Sequence, residues 1–288
     1  MQHLKIFIEL TRLNKPIGFM LLFWPCSWGL AYAFYFNQNI DLFIYYLALF
    51  FLGSLLMRSA GCIVNDIIDK DFDKKVKRTK KRPLASGRIT VKRSLIYVII
   101  LCLLAFIILI QFNFLTILLG MSSMILAFTY PFMKRFTYWP QLFLGLTFNW
   151  GIIMAWTSIN NEINFNIILL YLAAIFWTLG YDTIYGAQDM SDDEIIGLKS
   201  TSIKFKKNIK KFVTISYLIS LITIIFLLKS YFGLNVFSIL VFLFGLTFLY
   251  QIQKFKIKDP KSCLKAFKFN NFSGFLLFIA IISIGIPK

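Results

Sequence analysis

Long apolar runs constrain this chain more than any other feature of its sequence. Nine runs are mostly apolar and about 20 residues long, the length with which an α-helix crosses a bilayer. They lie near 18–36, 42–64, 94–112, 114–132, 138–158, 165–188, 211–229, 233–252 and 268–286. Only 15% of the 288 residues are charged, whereas soluble domains carry about a quarter. We therefore predict an all-α, polytopic membrane protein with nine transmembrane helices in a single domain, residues 1–288.

Lysine and arginine are distributed unevenly among the segments that join these runs. The N-terminal segment and the segments after the second, fourth, sixth and eighth runs are basic, and the intervening segments carry few or no basic residues. Because basic loops face the cytoplasm, we expect a cytoplasmic N-terminus, cytoplasmic cap loops and an exterior C-terminus. The net charge of +18 follows from this pattern, so we do not predict binding to nucleic acid.

The first acidic cluster ends the second apolar run. Asn65, Asp69 and Asp73 recur at a spacing of four, which places them on one helical face, and Asp66 borders that face. Carboxylate and amide oxygens in such a row are ligands that Mg²⁺ prefers. Asp71 is a further acid that we do not assign to the metal.

A second acidic cluster ends the sixth run. Asp182, Tyr185 and Asp189 share a helical face, and Asp193 extends it by four residues. Both clusters are expected at the same membrane face, where together they could hold more than one Mg²⁺ and therefore a phosphate-bearing ligand. The alternative is a pair of solvated acidic helix ends, which the negative dipole at a helix C-terminus disfavours. The similar placement of the clusters hints at a weak internal repeat.

Basic residues accompany both clusters. Arg78 and Arg82 stand in the lysine-rich segment after the first cluster, and arginine suits bidentate contacts with phosphate. Tyr130, Lys134 and Arg135 end the fourth run. Lys134 or Arg135 either reaches the phosphates or serves only to set the topology.

Arg58 lies inside the second apolar run, two helical turns before Asn65 and on the same face. A charged side chain at that depth needs an anionic partner. Spacing alone leaves two interpretations open. Arg58 forms an internal ion pair with one of the aspartates, or it belongs to a pocket for a second substrate that carries a carboxylate.

Other polar residues in the apolar runs have simpler explanations. Four amides either line a polar core or join helices to each other: Gln141, Asn149, Asn270 and Asn271. The four cysteines, Cys26, Cys62, Cys102 and Cys263, form no C-x-x-C pair and read as small buried hydrophobes. The single histidine, His3, is near the N-terminus and is not predicted to be a base or a ligand.

The two acidic motifs resemble a known family. Asn65-Asp66-x-x-Asp69-x-x-x-Asp73 and Asp182-x-x-Tyr185-x-x-x-Asp189 are similar to the signature motifs of intramembrane aromatic prenyltransferases. The flanking segments 11–18, 58–62, 78–87, 131–135 and 181–185 resemble those of the 4-hydroxybenzoate polyprenyltransferases of ubiquinone synthesis. The similarity runs from about residue 10 to residue 280. It departs at Lys70, where many members carry Arg and the charge is kept.

This resemblance implies a helical bundle around a central cavity that opens sideways to lipid. It also implies transfer of a polyprenyl group from its diphosphate to the ring of 4-hydroxybenzoate, with Mg²⁺ as cofactor. The expected setting is the bilayer of a bacterial inner membrane, or of a mitochondrial inner membrane in a eukaryote, and no obligate protein partner is evident.

Roles for individual residues follow from the same resemblance. The expected metal ligands are Asn65, Asp66, Asp69, Asp73, Asp189 and Asp193, with Asp66 in a supporting part. The expected substrate-binding residues are Arg58, Arg78, Arg82, Lys134, Tyr130 and Tyr185, with Arg58 facing the carboxylate of the aromatic acid. The expected catalytic residues are Asp69, Asp73, Asp182, Asp189 and Arg78. Asp182 is a hypothetical acceptor of the ring proton, and Tyr130 or Tyr185 a hypothetical partner of the allylic cation.

Three alternatives compete with this interpretation. A related prenyltransferase would act on homogentisate, a naphthoate or haem. A divalent-cation or phosphate transporter would explain aspartates at helix ends, but it would ordinarily need a path across the bilayer. A purely structural membrane protein would leave the burial of Arg58 and Asp182 without a purpose.

Overall fold

A computed structural model describes residues 2–257 and 259–285, and within these ranges the chain is helical with no strands. The helices are α1 Gln2–Thr11, α2 Ile17–Asn37, α3 Ile40–Ile68, α4 Lys70–Asp73, α5 Val91–Leu109, α6 Phe114–Thr129, α7 Met133–Phe136, α8 Pro140–Asn149, α9 Gly151–Asn160, α10 Phe165–Gly186, α11 Met190–Ile195, α12 Thr201–Lys204, α13 Ile209–Leu227, α14 Val236–Lys254 and α15 Pro260–Gly285. Short 3-10 turns at Tyr130–Phe132 and Lys229–Tyr231 follow α6 and α13.

The described ranges contain nine helical segments that are long and apolar enough to cross a bilayer, so the predicted number is confirmed. They are α2, α3, α5, α6 continued to Phe136, α8 continued through α9, α10, α13, α14 and α15. The chain is thus a polytopic helical membrane protein.

One predicted boundary was wrong, and one helix was not predicted. The last spanning helix begins at Pro260 rather than near residue 268, because Lys261, Lys265 and Lys268 are accommodated on its first turns. Lysine stems pack along a helix while their ammonium groups reach the aqueous interface. A ten-residue helix, α1, also precedes the first span and was not predicted.

Asparagine side chains start four of the spans. The Oδ1 atoms of Asn39, Asn113, Asn164 and Asn235 accept a hydrogen bond from the backbone N–H three residues on, at 2.9 to 3.0 Å. These caps satisfy donors that the first helical turn leaves unpaired. They begin α3, α6, α10 and α14, whose opposite ends lead to the basic segments. We call that opposite end, which carries residues 65–73 and 182–193, the motif end.

Close contacts join the spans into one bundle. The α10 helix packs against α8, α13 and α15, while α2 packs against α3, α9 and α15. A buried amide network joins α10, α13, α14 and α15: Gln251 Oε1 accepts from Tyr217 Oη at 2.6 Å and from Asn270 Nδ2 at 2.7 Å, and Asn270 Oδ1 accepts from Trp177 Nε1 at 2.8 Å. Asn270 therefore joins helices, one of the two roles its sequence left open.

The α2 and α15 helices meet closely below the motif end. Trp28 Nε1 donates to the carbonyl of Gly274 at 2.9 Å, and Trp24 Nε1 donates to Asn271 Oδ1 at the same distance. A Cβ atom on Gly274 would lie 2.4 Å from the Trp24 ring, so only glycine permits this approach. The first residues of α2 and the first turns of α15 instead line a cavity.

Candidate functional site

Both acidic motifs contain a break at an aspartate with similar backbone angles. Helix α3 ends just before Asp69, whose φ and ψ are −92° and 1°, and α4 follows. Helix α10 ends at Gly186, and a short turn leads to Asp189, whose φ and ψ are −109° and 6°, before α11. Hydrogen bonds from Asp73 N to Asp69 O at 2.8 Å and from Asp193 N to Asp189 O at 2.9 Å keep the spacing of four after each break. The prediction of continuous helices was therefore wrong.

A cavity of about 950 Å³ opens at the motif end. Every site residue predicted from the sequence lines it: Arg58, Asn65, Asp66, Asp69, Asp73, Arg78, Arg82, Tyr130, Lys134, Asp182, Tyr185, Asp189 and Asp193. The fold therefore brings together residues from the second, fourth and sixth spans and from the basic segment after the second. Their chemical roles stay predictions.

The first motif is held by arginines. Asp66 is 1% exposed, and its Oδ1 accepts from Arg12 Nη2 at 2.5 Å and from Arg82 Nη1 at 3.1 Å. The same Arg82 nitrogen donates to Asp73 Oδ2 at 2.8 Å. Two carboxylates and two guanidinium groups thus form one network, in which each buried charge has an opposite partner.

Asp69 pairs with the end of the fourth span. Lys134 Nζ donates to Asp69 Oδ2, and Arg135 lies 3.8 Å from Oδ1. Arg135 donates to the carbonyl of Ile68 at 2.7 Å and does not line the cavity. Of the two cations that the sequence left open, Lys134 is therefore the one placed to reach a ligand in the cavity.

The basic segment after the first motif contacts the second motif. Arg78 Nε donates to both oxygens of Asp189 at 2.9 Å, and Arg78 Nη2 donates to Oδ2 at 2.5 Å. Arg78 Nη1 also donates to the hydroxyl of Tyr185 at 3.3 Å. The backbone N–H of Lys77 donates to Asp192 at 3.4 Å. These contacts fasten residues 74–87 as a cap over one side of the cavity.

Burial raises the pKa values of two acids at the motif end, Asp73 and Asp193. Burial, together with the charge of Asp189, raises the pKa of Asp193 to about 6. Burial also raises the pKa of Asp73 above its ordinary value, against the opposing effect of Arg82. A hydrogen bond from Lys74 instead lowers the pKa of the exposed Asp71. A cavity that penalises carboxylate charge in this way favours a bound cation.

The donor set suits a hard divalent cation. Asp69 Oδ1 is buried and accepts no hydrogen bond from the described residues, so one ligand lone pair is available. In the same residues, no three acidic, histidine or cysteine side chains converge as a closed metal cluster. Four of the site carboxylates, Asp66, Asp69, Asp73 and Asp189, are instead paired with arginine or lysine. Carboxylate and amide oxygens facing a polar cavity remain the ligand type that Mg²⁺ prefers.

Arg58 and Asp182 occupy a deeper part of the cavity. Within the described ranges, Arg58 takes part in no ion pair, and its buried Nε has no hydrogen-bond acceptor. Its guanidinium carbon lies 5.4 Å from the centre of the Phe148 ring. Of the two interpretations of Arg58, the internal ion pair is not formed. Both side chains line the cavity, so both face whatever occupies it.

Sequence reasoning did not single out Arg12 and Lys268 as site residues, and it left four amides ambiguous. Arg12, Lys268 and Asn271 also line the cavity. A signal for Arg12 was present, because it lies in the segment 11–18 on which part of the family resemblance rests. Gln141 lines the cavity and accepts from Thr201 N at 2.9 Å, whereas Asn149 is fully buried and donates to Thr178 Oγ1 at 2.8 Å.

The fold and the cavity define a polytopic helical membrane protein with facing acidic and basic side chains at one end of its bundle. A family model described as the UbiA prenyltransferase family matches residues 22–279. The chain therefore belongs to the UbiA prenyltransferase family.

Individual relatives agree with this assignment. The chain is 47% identical over 213 residues to the mitochondrial 4-hydroxybenzoate polyprenyltransferase of Caenorhabditis elegans. The matched region spans 74% of this chain and 59% of that protein. It is 41% identical over 276 residues to the 4-hydroxybenzoate octaprenyltransferase of Psychromonas ingrahamii, and this match spans 96% of this chain and 94% of that enzyme.

Solved structures share the fold. A UbiA homologue from Archaeoglobus fulgidus, bound to GPP and Mg²⁺, superposes with a TM-score of 0.73 at 19% identity, over 96% of this chain and 99% of that one. At this level of identity the likeness concerns the fold alone.

Proposed function

We propose that this chain transfers a polyprenyl group from polyprenyl diphosphate to the ring of 4-hydroxybenzoate, ortho to the hydroxyl, and releases pyrophosphate, as a step of ubiquinone biosynthesis. The observation that carries the proposal is the division of the cavity. Facing carboxylates and cations occupy its motif end, and Arg58, which forms no ion pair within the described ranges, lies deeper. The names of the bacterial and mitochondrial relatives support the same substrates.

The motif end suits the diphosphate. We assign Asn65, Asp66, Asp69, Asp73, Asp189 and Asp193 to hold Mg²⁺ and, through it, the diphosphate. When bound, the metal supplies Lewis-acid stabilisation of the charge that grows on pyrophosphate. Arg78, Arg82 and Lys134 would exchange their present carboxylate partners for phosphate oxygens, which offer arginine the same bidentate geometry.

The reaction then needs positioning rather than a protein nucleophile. The allylic C1–O bond breaks, and pyrophosphate leaves with the electron pair. The electron-rich ring carbon ortho to the phenol hydroxyl forms the new bond to C1, and that ring carbon loses its proton. We assign Arg58 to the carboxylate of the acceptor and Asp182 to the departing proton. The rings of Tyr130 and Tyr185 would face the allylic cation.

The surroundings protect such a cation. Below the motif end the cavity wall includes apolar side chains such as Leu144, Phe148 and Phe267, which exclude water that would otherwise convert the cation to an alcohol. We place the N-terminus and the motif end in the cytoplasm. The basic segments are at the motif end, and basic loops face the cytoplasm. The membrane would be the bacterial inner membrane, or the mitochondrial inner membrane in a eukaryote.

A direct assay tests the proposal. Purified protein in lipid nanodiscs is incubated with Mg²⁺, 4-hydroxybenzoate and a polyprenyl diphosphate, and the products are identified by mass spectrometry. We expect a 3-polyprenyl-4-hydroxybenzoate and pyrophosphate in equal amounts. Parallel reactions with homogentisate and a dihydroxynaphthoate test the related acceptors. Prenylation of one of these, with none of 4-hydroxybenzoate, would refute the acceptor assignment.

A further inference from the structure

Two groups border the space that the Arg58 side chain occupies, which we call the slot. The first is the ring of Phe148, whose centre lies 5.4 Å from the guanidinium carbon. The second is the backbone of Gly18, in the first turn of α2. A Cβ atom placed on Gly18 would lie 2.9 Å from Arg58 Nε, 3.5 Å from Nη2 and 3.6 Å from Cζ. A side chain at residue 18 would therefore displace the Arg58 side chain from its present position.

The slot determines which atoms of Arg58 can contact a ligand in the cavity. Nε faces Gly18 and has no acceptor among the described residues. The guanidinium carbon lies 5.4 Å from the centre of the Phe148 ring, within the distance of a cation–π contact, which arginine forms more often than lysine. A bidentate contact with a carboxylate requires a fixed plane, so small displacements of the group weaken it.

We propose that Gly18 is a specificity-determining residue, which positions the Arg58 guanidinium against Phe148 so that it recognises a planar aromatic carboxylate. The proposal rests on the proposed function, since it presumes an acidic acceptor. Gly18 lines the cavity next to Arg58, and in this proposal it acts through the position of that side chain.

The chain around Gly18 relates this slot to the motif end. Arg12 and Gly18 lie six residues apart, in the stretch that runs from the end of α1 into the first turn of α2. Arg12 has a φ of 55°, in the left-handed region, and reaches Asp66. The same short segment therefore contributes one residue to the acidic motif and one to the deeper slot.

Acceptor discrimination is the measurement that isolates this role. For each variant, kcat/KM is determined with 4-hydroxybenzoate and with 4-hydroxybenzamide, which has the same shape without the charge. The ratio of the two values does not depend on the fraction of active enzyme, so partial misfolding leaves it unchanged. We expect Gly18→Ala to lower this ratio about fivefold to tenfold, which corresponds to part of one charged hydrogen bond. The KM for the prenyl diphosphate should not change.

Gly61→Ala is the matched control. Gly61 lies one turn from Arg58 in α3, and a Cβ atom there meets no other atom within 4 Å. The variant should keep the wild-type ratio. A second variant, Phe148→Leu, removes the ring that borders Arg58 and is also expected to lower the ratio.

A double-mutant cycle tests whether Gly18 acts through Arg58. Once Arg58→Met has removed the guanidinium, Gly18→Ala should have no further effect on the ratio, because coupled residues are not additive. Wild-type ratios in both Gly18→Ala and Phe148→Leu, or additive effects in the cycle, would overturn the proposal. If the wild-type protein makes no product from 4-hydroxybenzoate, the proposed function fails instead, which is a separate outcome.

Discussion

Arg78 binds both carboxylate oxygens of Asp189, so the cap that follows the first acidic motif is fastened to the second motif. The two residues lie 111 positions apart in the chain. The contact unites two elements that the sequence could only place at the same membrane face. It also places one arginine where it can exchange a carboxylate for a phosphate.

Loss of Arg78 should impair both catalysis and the cap. We expect Arg78→Ala to lower kcat about 100-fold, because it removes a cation that stabilises the charge developing on pyrophosphate. Hydrogen exchange of the backbone amides in residues 74–87 should become faster. Arg78→Lys should recover only part of the rate, since lysine cannot make the bidentate contact. A Lys80→Ala variant in the same cap is the control, and equal activity of the Arg78 and Lys80 variants would contradict the assignment.

Asp73 and Asp71 form a matched pair for testing the metal ligands. Asp73 is buried and bound by Arg82, whereas Asp71 is exposed and pairs only with Lys74. We expect Asp73→Asn to raise the Mg²⁺ concentration for half-maximal rate at least about tenfold, an effect of the size seen when a metal site loses support. Asp71→Asn should behave as wild type, because exposed ion pairs contribute little. Mg²⁺ titrations of the prenyl-transfer rate measure both.

The pair Arg12 and Asp66 should contribute to stability. Asp66 is 1% exposed, and Arg12 Nη2 lies 2.5 Å from its Oδ1. Arg12→Gln should lower the free energy of unfolding by about 1 to 3 kcal/mol, because it leaves a buried carboxylate with Arg82 alone. The Arg12→Gln/Asp66→Asn double variant should recover part of the loss. Thermal unfolding in nanodiscs measures the stability of each variant, and Lys5→Gln, at an exposed position, is the control. A double variant that loses more stability than the two single variants together would argue against the pair.

The raised pKa of Asp193 predicts that Mg²⁺ binding weakens at low pH. Its carboxyl has a pKa of about 6, so below that pH the folded protein holds a proton that Mg²⁺ must displace. We therefore expect the apparent affinity for Mg²⁺ to fall as pH decreases through about 6 and to be nearly constant above 7. In Asp193→Asn the affinity should be lower at every pH and should lose this dependence. The prenyl-transfer rate is measured as a function of Mg²⁺ concentration from pH 5.5 to 7.5. If another group were responsible, the Asp193→Asn variant would keep the pH dependence of the wild type.

The sequence determined the class of fold by itself. Hydrophobic length and the alternation of basic segments gave nine spans, because a bilayer admits only helices of sufficient apolar length. The periodicity of Asp and Asn also identified the side of each helix that faces the cavity, since residues four apart share a face. These are local properties, which a chain retains whatever its neighbours are.

Only the tertiary structure decided which charges meet. Sequence spacing could not assign Arg12 to Asp66, choose Lys134 over Arg135, or exclude an internal ion pair for Arg58, because each contact joins segments that are distant in the chain. The break at Asp69 was likewise hidden, since the i to i+4 pattern continues across it. Pairing between buried charges depends on helix packing in three dimensions, and that packing leaves Arg58, next to Gly18 and Phe148, without an ion pair within the described ranges.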